Sequence, residues 1–265
     1  MKKITSYIPC YIWNDKNFYE WLWKTIDSIK SHPEFGIIKL FVCQKEKEKE
    51  LRNRSKQYNN IEIIFLEEET PMYFPIDVFN YLKNDKELSD EDYVFYVEWD
   101  HILHVSDWFF RDIFEELDKW NVVMPHRLWK TRAENNIEYQ KHDWYYVWNY
   151  GKSCLKKYSD VFNEVLPYKV PSNRIHWTYA WCYFIKKSSL YNIEDIKIWR
   201  KWIMYLIWRY IWIFHKYWLF KKFWLPYTLR LETPSLILYF RGLKILKSIY
   251  IWSCYVEHLS QNGYV

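Results

Sequence analysis

The sequence is poor in glycine, with only 4 among 265 residues. It lacks any run of about 18 uncharged apolar residues, so no simple transmembrane helix is expected. Its five cysteines (Cys10, Cys43, Cys154, Cys182 and Cys254) are widely spaced and include no C-x-x-C pair. This excludes a zinc ribbon and a disulfide framework and points to reduced thiols in a cytosolic protein. No Walker A loop and no glycine-rich dinucleotide fingerprint is present. The opening Met1-Lys2-Lys3-Ile4 runs into a strand-like segment without an apolar stretch of signal-peptide length. A cytoplasmic location is therefore expected, with peripheral attachment to the inner face of a membrane as a variant.

Half the residues are apolar and 27% are charged, the balance of a folded globular chain rather than a disordered one. The length suits one α/β domain with an appended C-terminal segment. A formal net charge of +5 fits an anionic small partner or a lipid surface, but does not by itself argue for nucleic acid.

Tryptophan is as abundant as glycine is scarce, at 18 residues against 4. Their combined share, about 8%, is close to the usual roughly 7% of glycine plus a little tryptophan. Several tryptophans also stand where glycine is expected. Trp120, in Leu117-Asp118-Lys119-Trp120-Asn121, lies between a helical pattern and a strand, where a left-handed residue commonly ends a helix. Trp218 and Trp224 read the same way. The expectation is that many tryptophans are UGA codons that the native code reads as glycine. A membrane-surface protein truly rich in tryptophan is the alternative.

Strand and helix patterns alternate through the first half. Ile4 to Ile12, Ile37 to Val42, Ile61 to Leu66, Tyr93 to Val97 and Asn121 to Met124 read as strands. Phe18 to Lys30, Lys45 to Gln57, Val78 to Lys86 and Ser106 to Leu117 read as helices, with Ser106 as N-cap of the last. Such alternation, with uninterrupted apolar strands, predicts βαβ units and a mainly parallel sheet flanked by helices. Ligands in such sheets bind beyond the strands' carboxyl ends, where Pro9, Tyr11 and Glu98 to His101 fall. In the second half, Lys130 to Tyr158 reads as loop-rich, Arg174 to Ile185 as a turn and strand, and Leu236 to Ile249 as a helix.

The strongest chemical signal is Glu98-x-Asp100. Two carboxylates at i and i+2, at the exit of the apolar strand Tyr93 to Val97, can converge on one hard cation if the chain turns there. Mg²⁺ or Mn²⁺ held in this way keeps positions for diphosphate oxygens. An acidic strand terminus with no ligand is the plain alternative. Met124-Pro125-His126-Arg127-Leu128 leaves the fifth strand, where Arg127 can meet a phosphate or pair with an acid.

The segment Tyr93-Val94-Phe95-Tyr96-Val97-Glu98-Trp99-Asp100-His101-Ile102-Leu103 resembles the Asp-x-Asp strand of the GT-A glycosyltransferases in a Glu-x-Asp version. Ile4 to Tyr11 resembles that fold's opening nucleotide-binding strand, and Thr25-Ile26-Asp27-Ser28-Ile29 its first helix. Arg174-Ile175-His176-Trp177-Thr178-Tyr179-Ala180-Trp181-Cys182-Tyr183 resembles the acceptor-side loop and strand. There Trp177 and Trp181 depart from the usual glycines.

The resemblance implies an α/β, GT-A-like (Rossmann-like) catalytic domain over residues 1–195. Residues 1–128 would be its nucleotide-sugar-binding half and 129–195 its acceptor half. Residues 196–265 would form a basic, aromatic helical segment and a tail packing back on the domain. It implies sugar transfer from a nucleotide-sugar donor to a glycan or lipid-linked hydroxyl acceptor. Glu98, Asp100 and His258 would hold Mn²⁺ or Mg²⁺, and Pro9, Tyr11, Asp15, Glu98 and Arg127 would meet the donor. An inverting enzyme needs a general base, for which Asp195, Glu194 and Glu232 are the candidates.

Arg200, Lys201, Arg209, Lys216, Lys221 and Lys222 alternate with aromatics and would suit peripheral membrane contact. Stacking on single-stranded nucleic acid is the other use of such a stretch, but no nucleic-acid partner is expected. Beside the enzyme stand two other classes, a non-catalytic binding module on the same fold and a peripheral membrane or nucleic-acid-binding protein.

Overall fold

A computed structural model describes residues 3–10, 17–67, 74–106, 109–119, 122–130, 144–149, 152–157, 170–171, 182–192 and 248–259. The first half follows the alternation closely: β1 (Ile4–Cys10), α1 (Phe18–Lys30), β2 (Phe35–Val42), α2 (Lys45–Ser55), β3 (Ile61–Phe65), α3 (Phe74–Asn84) and β4 (Tyr93–Val97). Next come β5 (His101–Val105), α4 (Phe109–Lys119), β6 (Val122–Lys130), β7 (Trp144–Asn149), β8 (Lys152–Lys157), β9 (Val170–Pro171), β10 (Cys182–Lys186) and β11 (Ser248–His258).

One sheet runs β3-β2-β1-β4-β10-β6-β11-β5, and β7, β8 and β9 extend it beside β6 and β11. The β3-β2-β1-β4 portion is parallel throughout. β10 runs antiparallel to both β4 and β6, so β6 points the same way as β4. β11 is parallel to β6, and β5 lies antiparallel to β11. The carboxyl ends of β1, β2, β3, β4, β6 and β11 therefore share one edge of the sheet, which the amino end of β5 also reaches.

Local chemistry accounts for the elements. α1 buries Phe18, Leu22, Thr25, Ile26 and Ile29 on one stripe, the spacing of an amphipathic helix. α2 buries only Leu51 and Ser55 and is laced by Glu48–Arg52 and Glu50–Arg54 pairs one turn apart. β4 is buried at all five residues. On β10, Phe184 stacks on Phe95 at 4.2 Å and Tyr183 on Tyr96 at 4.9 Å. These cross-strand aromatic pairs sit directly opposite each other in the register.

The sheet has a core on each face. One joins Ile8, Leu40 and Phe95 to Ile26 of α1, Leu51 of α2 and Ile113 of α4. The other joins Tyr7, Phe41 and Tyr96 to Val78 and Leu82 of α3 and to Leu190. Leu190 lies in a 3-10 turn, Lys187–Asn192.

On the α3 face lies a buried polar network. Lys39 of β2 is 1% exposed. Its Nζ lies 2.7 Å from Asp85 Oδ2 and also pairs with Glu87. Tyr7 donates its hydroxyl proton to Asp85, and Lys187 donates to the carbonyls of Asp85 and Leu88. Burial raises the Asp85 pKa, but hydrogen bonds from Lys39 and Tyr7 outweigh it and hold the carboxyl below its ordinary value. Burial lowers that of Lys39, but hydrogen bonds to Asp85 and Glu87 outweigh it and leave the ammonium above its ordinary value.

Several expectations need correction. The helix read over Leu236 to Ile249 fails at its end, because Ser248 and Ile249 open strand β11; residues 236–247 lie outside the described set. The fifth strand does not stop at Met124 but continues to Lys130, sustained by pairing with β11 along its length. The loop-rich stretch after Lys130 contains the hairpin β7–β8. β5 had no sequence signal of its own, because His101 and His104 interrupt its apolar residues.

The four cysteines whose side chains are described, Cys10, Cys43, Cys182 and Cys254, are in no disulfide. Burial pushes the Cys10 and Cys254 thiols well up, which keeps them protonated and unreactive. Among the described residues, no helix is long and apolar enough to cross a membrane.

Three tryptophan side chains are described. Trp99 is buried, tilted against Phe18 at 4.9 Å and stacked on Trp21 at 5.9 Å. Trp23 stacks on Tyr58. At these three positions the rings fill space that glycine would leave empty. Trp252 falls where β11 slips its register against β6, between Ile251 and Tyr255. Such a bulge is a common place for glycine.

Candidate metal centre

β4 carries the chain through the core and releases it at the sheet's carboxyl edge, where Glu98, Trp99 and Asp100 turn it into β5. Glu98, Asp100 and His101 are 6%, 5% and 1% exposed. One ligand atom from each lies within 4.8 Å of the others. Two carboxylates and an imidazole so placed form a donor set that one divalent cation can bridge. Carboxylate oxygens suit a hard cation such as Mg²⁺ or Mn²⁺, and an imidazole is a ligand that transition metals take more readily than Mg²⁺ does.

Inside the cluster, His101 Nδ1 lies 2.8 Å from Asp100 Oδ1. With the ring proton on Nδ1, this contact fixes the imidazole's orientation and leaves the lone pair on Nε2. Glu98 also adds to the upward shift of the Tyr96 hydroxyl, after burial and the neighbouring Tyr183.

The turn is held from both sides. Thr25 Oγ1 of α1 donates to the Trp99 carbonyl at 2.8 Å, and Ser28 Oγ accepts from the Leu103 amide at 3.0 Å. From the other side, the Leu259 amide donates to the Asp100 carbonyl at 2.8 Å. β11 pairs His258 with His101 across the antiparallel ladder. Next to that pair, His104 Nε2 lies 3.1 Å from Glu257 Oε2.

The remaining candidates fall as follows. Pro9 is buried near the end of β1. It and Glu98 each lie two residues past the Tyr7–Tyr96 pair on adjacent parallel strands, so they flank each other at the carboxyl edge. The backbone of His258 runs beside His101; its side chain is outside the described set. Arg127 does not leave a strand end as expected. It lies within β6, opposite Val256, and its side chain is not described. Tyr11, Asp15, Asp195, Glu194 and Glu232 lie outside the described residues.

His101 is the residue that sequence reasoning passed over. The signal was the histidine directly after the Glu-x-Asp doublet, and only the turn into β5 folds it back on Asp100. Two open grooves of about 530 and 550 Å³ lie elsewhere, beside β3 and α3, and take in none of these residues.

No family model and no curated protein matches the chain. Solved structures do. GalNAc-T7, crystallised with UDP, GalNAc and Mn²⁺, superposes with a TM-score of 0.50 at 10% identity, covering 97% of this chain and 44% of that one. S. aureus TarS 1-349 gives a TM-score of 0.42 at 13% identity, with 73% and 50% covered. A 4-diphosphocytidyl-2C-methyl-D-erythritol synthase gives 0.41 at 8% identity, with 71% and 76% covered. The chain thus spans under half the length of the GalNAc-T7 chain and half that of the TarS chain. At such identities the likeness is one of fold, and the fold is GT-A-like.

Proposed function

We propose that this chain is a metal-dependent glycosyltransferase that moves a sugar from a nucleotide-sugar donor to a hydroxyl acceptor. The observation that carries the proposal is the buried Glu98, Asp100 and His101 cluster at the carboxyl end of β4. A GT-A-like sheet places ligands at that edge. A similar fold, in GalNAc-T7, was crystallised with UDP, GalNAc and Mn²⁺.

In this reading Glu98 and Asp100, with His101 and His258, hold Mn²⁺ or Mg²⁺. Such an ion would supply positive charge to offset that of the departing nucleoside diphosphate. Pro9, Tyr11 and Asp15 border the nucleoside and Arg127 meets a phosphate. If the transfer inverts, a carboxylate following β10, Asp195 or Glu194, takes the acceptor's proton, with Glu232 as second choice. A glycan or lipid-linked acceptor in cell-surface polysaccharide or lipopolysaccharide synthesis fits this chemistry. Peripheral contact of the basic, aromatic segment 199–222 with the inner face of a membrane would bring a lipid-linked acceptor within reach.

The test is turnover of a panel of nucleotide-sugar donors with and without Mn²⁺. Wild type should turn over at least one donor, and Glu98→Ala with Asp100→Ala should lower that rate roughly a hundredfold or more. Unchanged Mn²⁺-dependent turnover in the double variant would remove the metal site from the mechanism.

A further inference from the structure

The metal reading leaves unexplained why two hydroxyls of α1 reach across to the backbone of the turn that carries the cluster. Thr25 is fully buried, and its hydroxyl spends its proton on the Trp99 carbonyl at 2.8 Å. Ser28 accepts from the Leu103 amide at 3.0 Å and donates in turn to the Thr25 carbonyl at 2.7 Å. A continuous chain of hydrogen bonds therefore runs from β5 through Ser28 to the α1 backbone, and a second one runs from Thr25 to the turn. The Asp100 carbonyl is fixed independently by the Leu259 amide. Main-chain groups of residues 99, 100 and 103 are thus pinned, and the three ligand-bearing residues lie within or beside that span.

A buried carbonyl needs a donor wherever it sits, so one hydroxyl could be simple housekeeping. Two hydroxyls one turn apart on one helix, one donating to and the other accepting from the segment 99–103, do more. They set the height and tilt of the turn from which Glu98, Asp100 and His101 project. Carboxylates bind a cation well only when they are held converged before it arrives, because ordering them afterwards subtracts from the binding free energy. The bracket acts through main-chain atoms, so it is independent of the side chain at position 99.

We propose that Thr25 and Ser28 are positioning residues that hold the turn between β4 and β5 in its metal-binding geometry. The proposal rests on the metal-site reading above. Its test measures Mn²⁺ affinity by electron paramagnetic resonance, with urea unfolding in parallel, for wild type, Thr25→Val, Thr25→Ser and Ser28→Ala. Thr25→Val keeps the shape and removes the donor. It should weaken Mn²⁺ binding about tenfold, the scale seen when partners behind a ligand are removed. Thr25→Ser should restore most of that loss, and the spectrum of the bound ion should shift in Thr25→Val and return in Thr25→Ser.

Wild-type affinity and spectrum in Thr25→Val would overturn the bracket while leaving the metal site intact. Failure of wild type itself to bind Mn²⁺ would instead overturn the metal-site reading. If Thr25→Val does not fold, Ser28→Ala decides. A several-fold loss of affinity in folded protein supports the bracket, and unchanged affinity overturns it.

Discussion

Two clusters of buried charge lie on this sheet, and they are built on opposite plans. Around Lys39, carboxylate and ammonium meet directly: Asp85 accepts from Lys39 and Tyr7, and Glu87 pairs with the same ammonium. Around Asp100, two carboxylates and an imidazole converge within 4.8 Å. The first arrangement closes on itself and ties β1 and β2 to the segment after α3. The second gathers donors of the kind that a divalent cation takes. Burial alone does not separate a closed ion-pair network from a candidate metal site. The identity of the groups and the direction in which they converge do.

Breaking the first cluster should have the largest effect. Lys39→Met leaves the Asp85 carboxylate buried without its ammonium and should cost about 3–5 kcal/mol in urea unfolding. Protein that still folds should keep its Mn²⁺ affinity. An equal loss of both would mean that the two clusters are not separate. Loading the second cluster should have the next largest effect. Mn²⁺ at about a hundred times its Kd should stabilise wild type by about 2.7 kcal/mol. Asp100→Asn should lose most of that gain, whereas Asp85→Asn should keep it.

The pH profile sharpens the contrast further. Asp85 is held below its ordinary value of 3.8. Its stabilisation is therefore present above that value and lost as pH falls through the lower, folded one. Lys39 is held above its ordinary 10.5, so its share is present below that value and lost as pH rises through the folded one. Stability without metal should be flat between these limits as far as this network is concerned. In Asp85→Asn the loss on the acid side should shrink. A loss of the same size at the same pH would assign it to other groups.

The smallest test concerns single residues. Tandem mass spectrometry of peptides from protein made in its native cell should show glycine at position 252, in the β11 bulge. Tryptophan there, from a UGG codon, would end the recoding idea at that position. The same measurement at position 99 tells whether the ring that packs on Phe18 and Trp21 belongs to the native turn.

Much of the parallel half was legible because its signals are local. β4 and α1 match their sequence boundaries to the residue, since an all-apolar pentapeptide and a stripe at 3.6-residue spacing need no distant partner to be recognised. Of the candidate site, only the acidic doublet was legible in this way. Glu98-x-Asp100 stood out because it ended such a strand.

The sequence by itself determined the βαβ alternation, the apolar strands buried on both faces and the acidic doublet at a strand exit. The individual strands and helices behind that alternation, and the doublet, are each written in a short local window. Only the tertiary structure decided that β11, over 140 residues beyond β5 in the chain, lies between β5 and β6 and sets His258 beside His101. It alone decided that Thr25 and Ser28 reach the turn, and that Lys39 finds Asp85. The reason is the same in each case. A strand's neighbours and a buried charge's partner are chosen by pairing free energy summed over the whole sheet, and no local period records that choice.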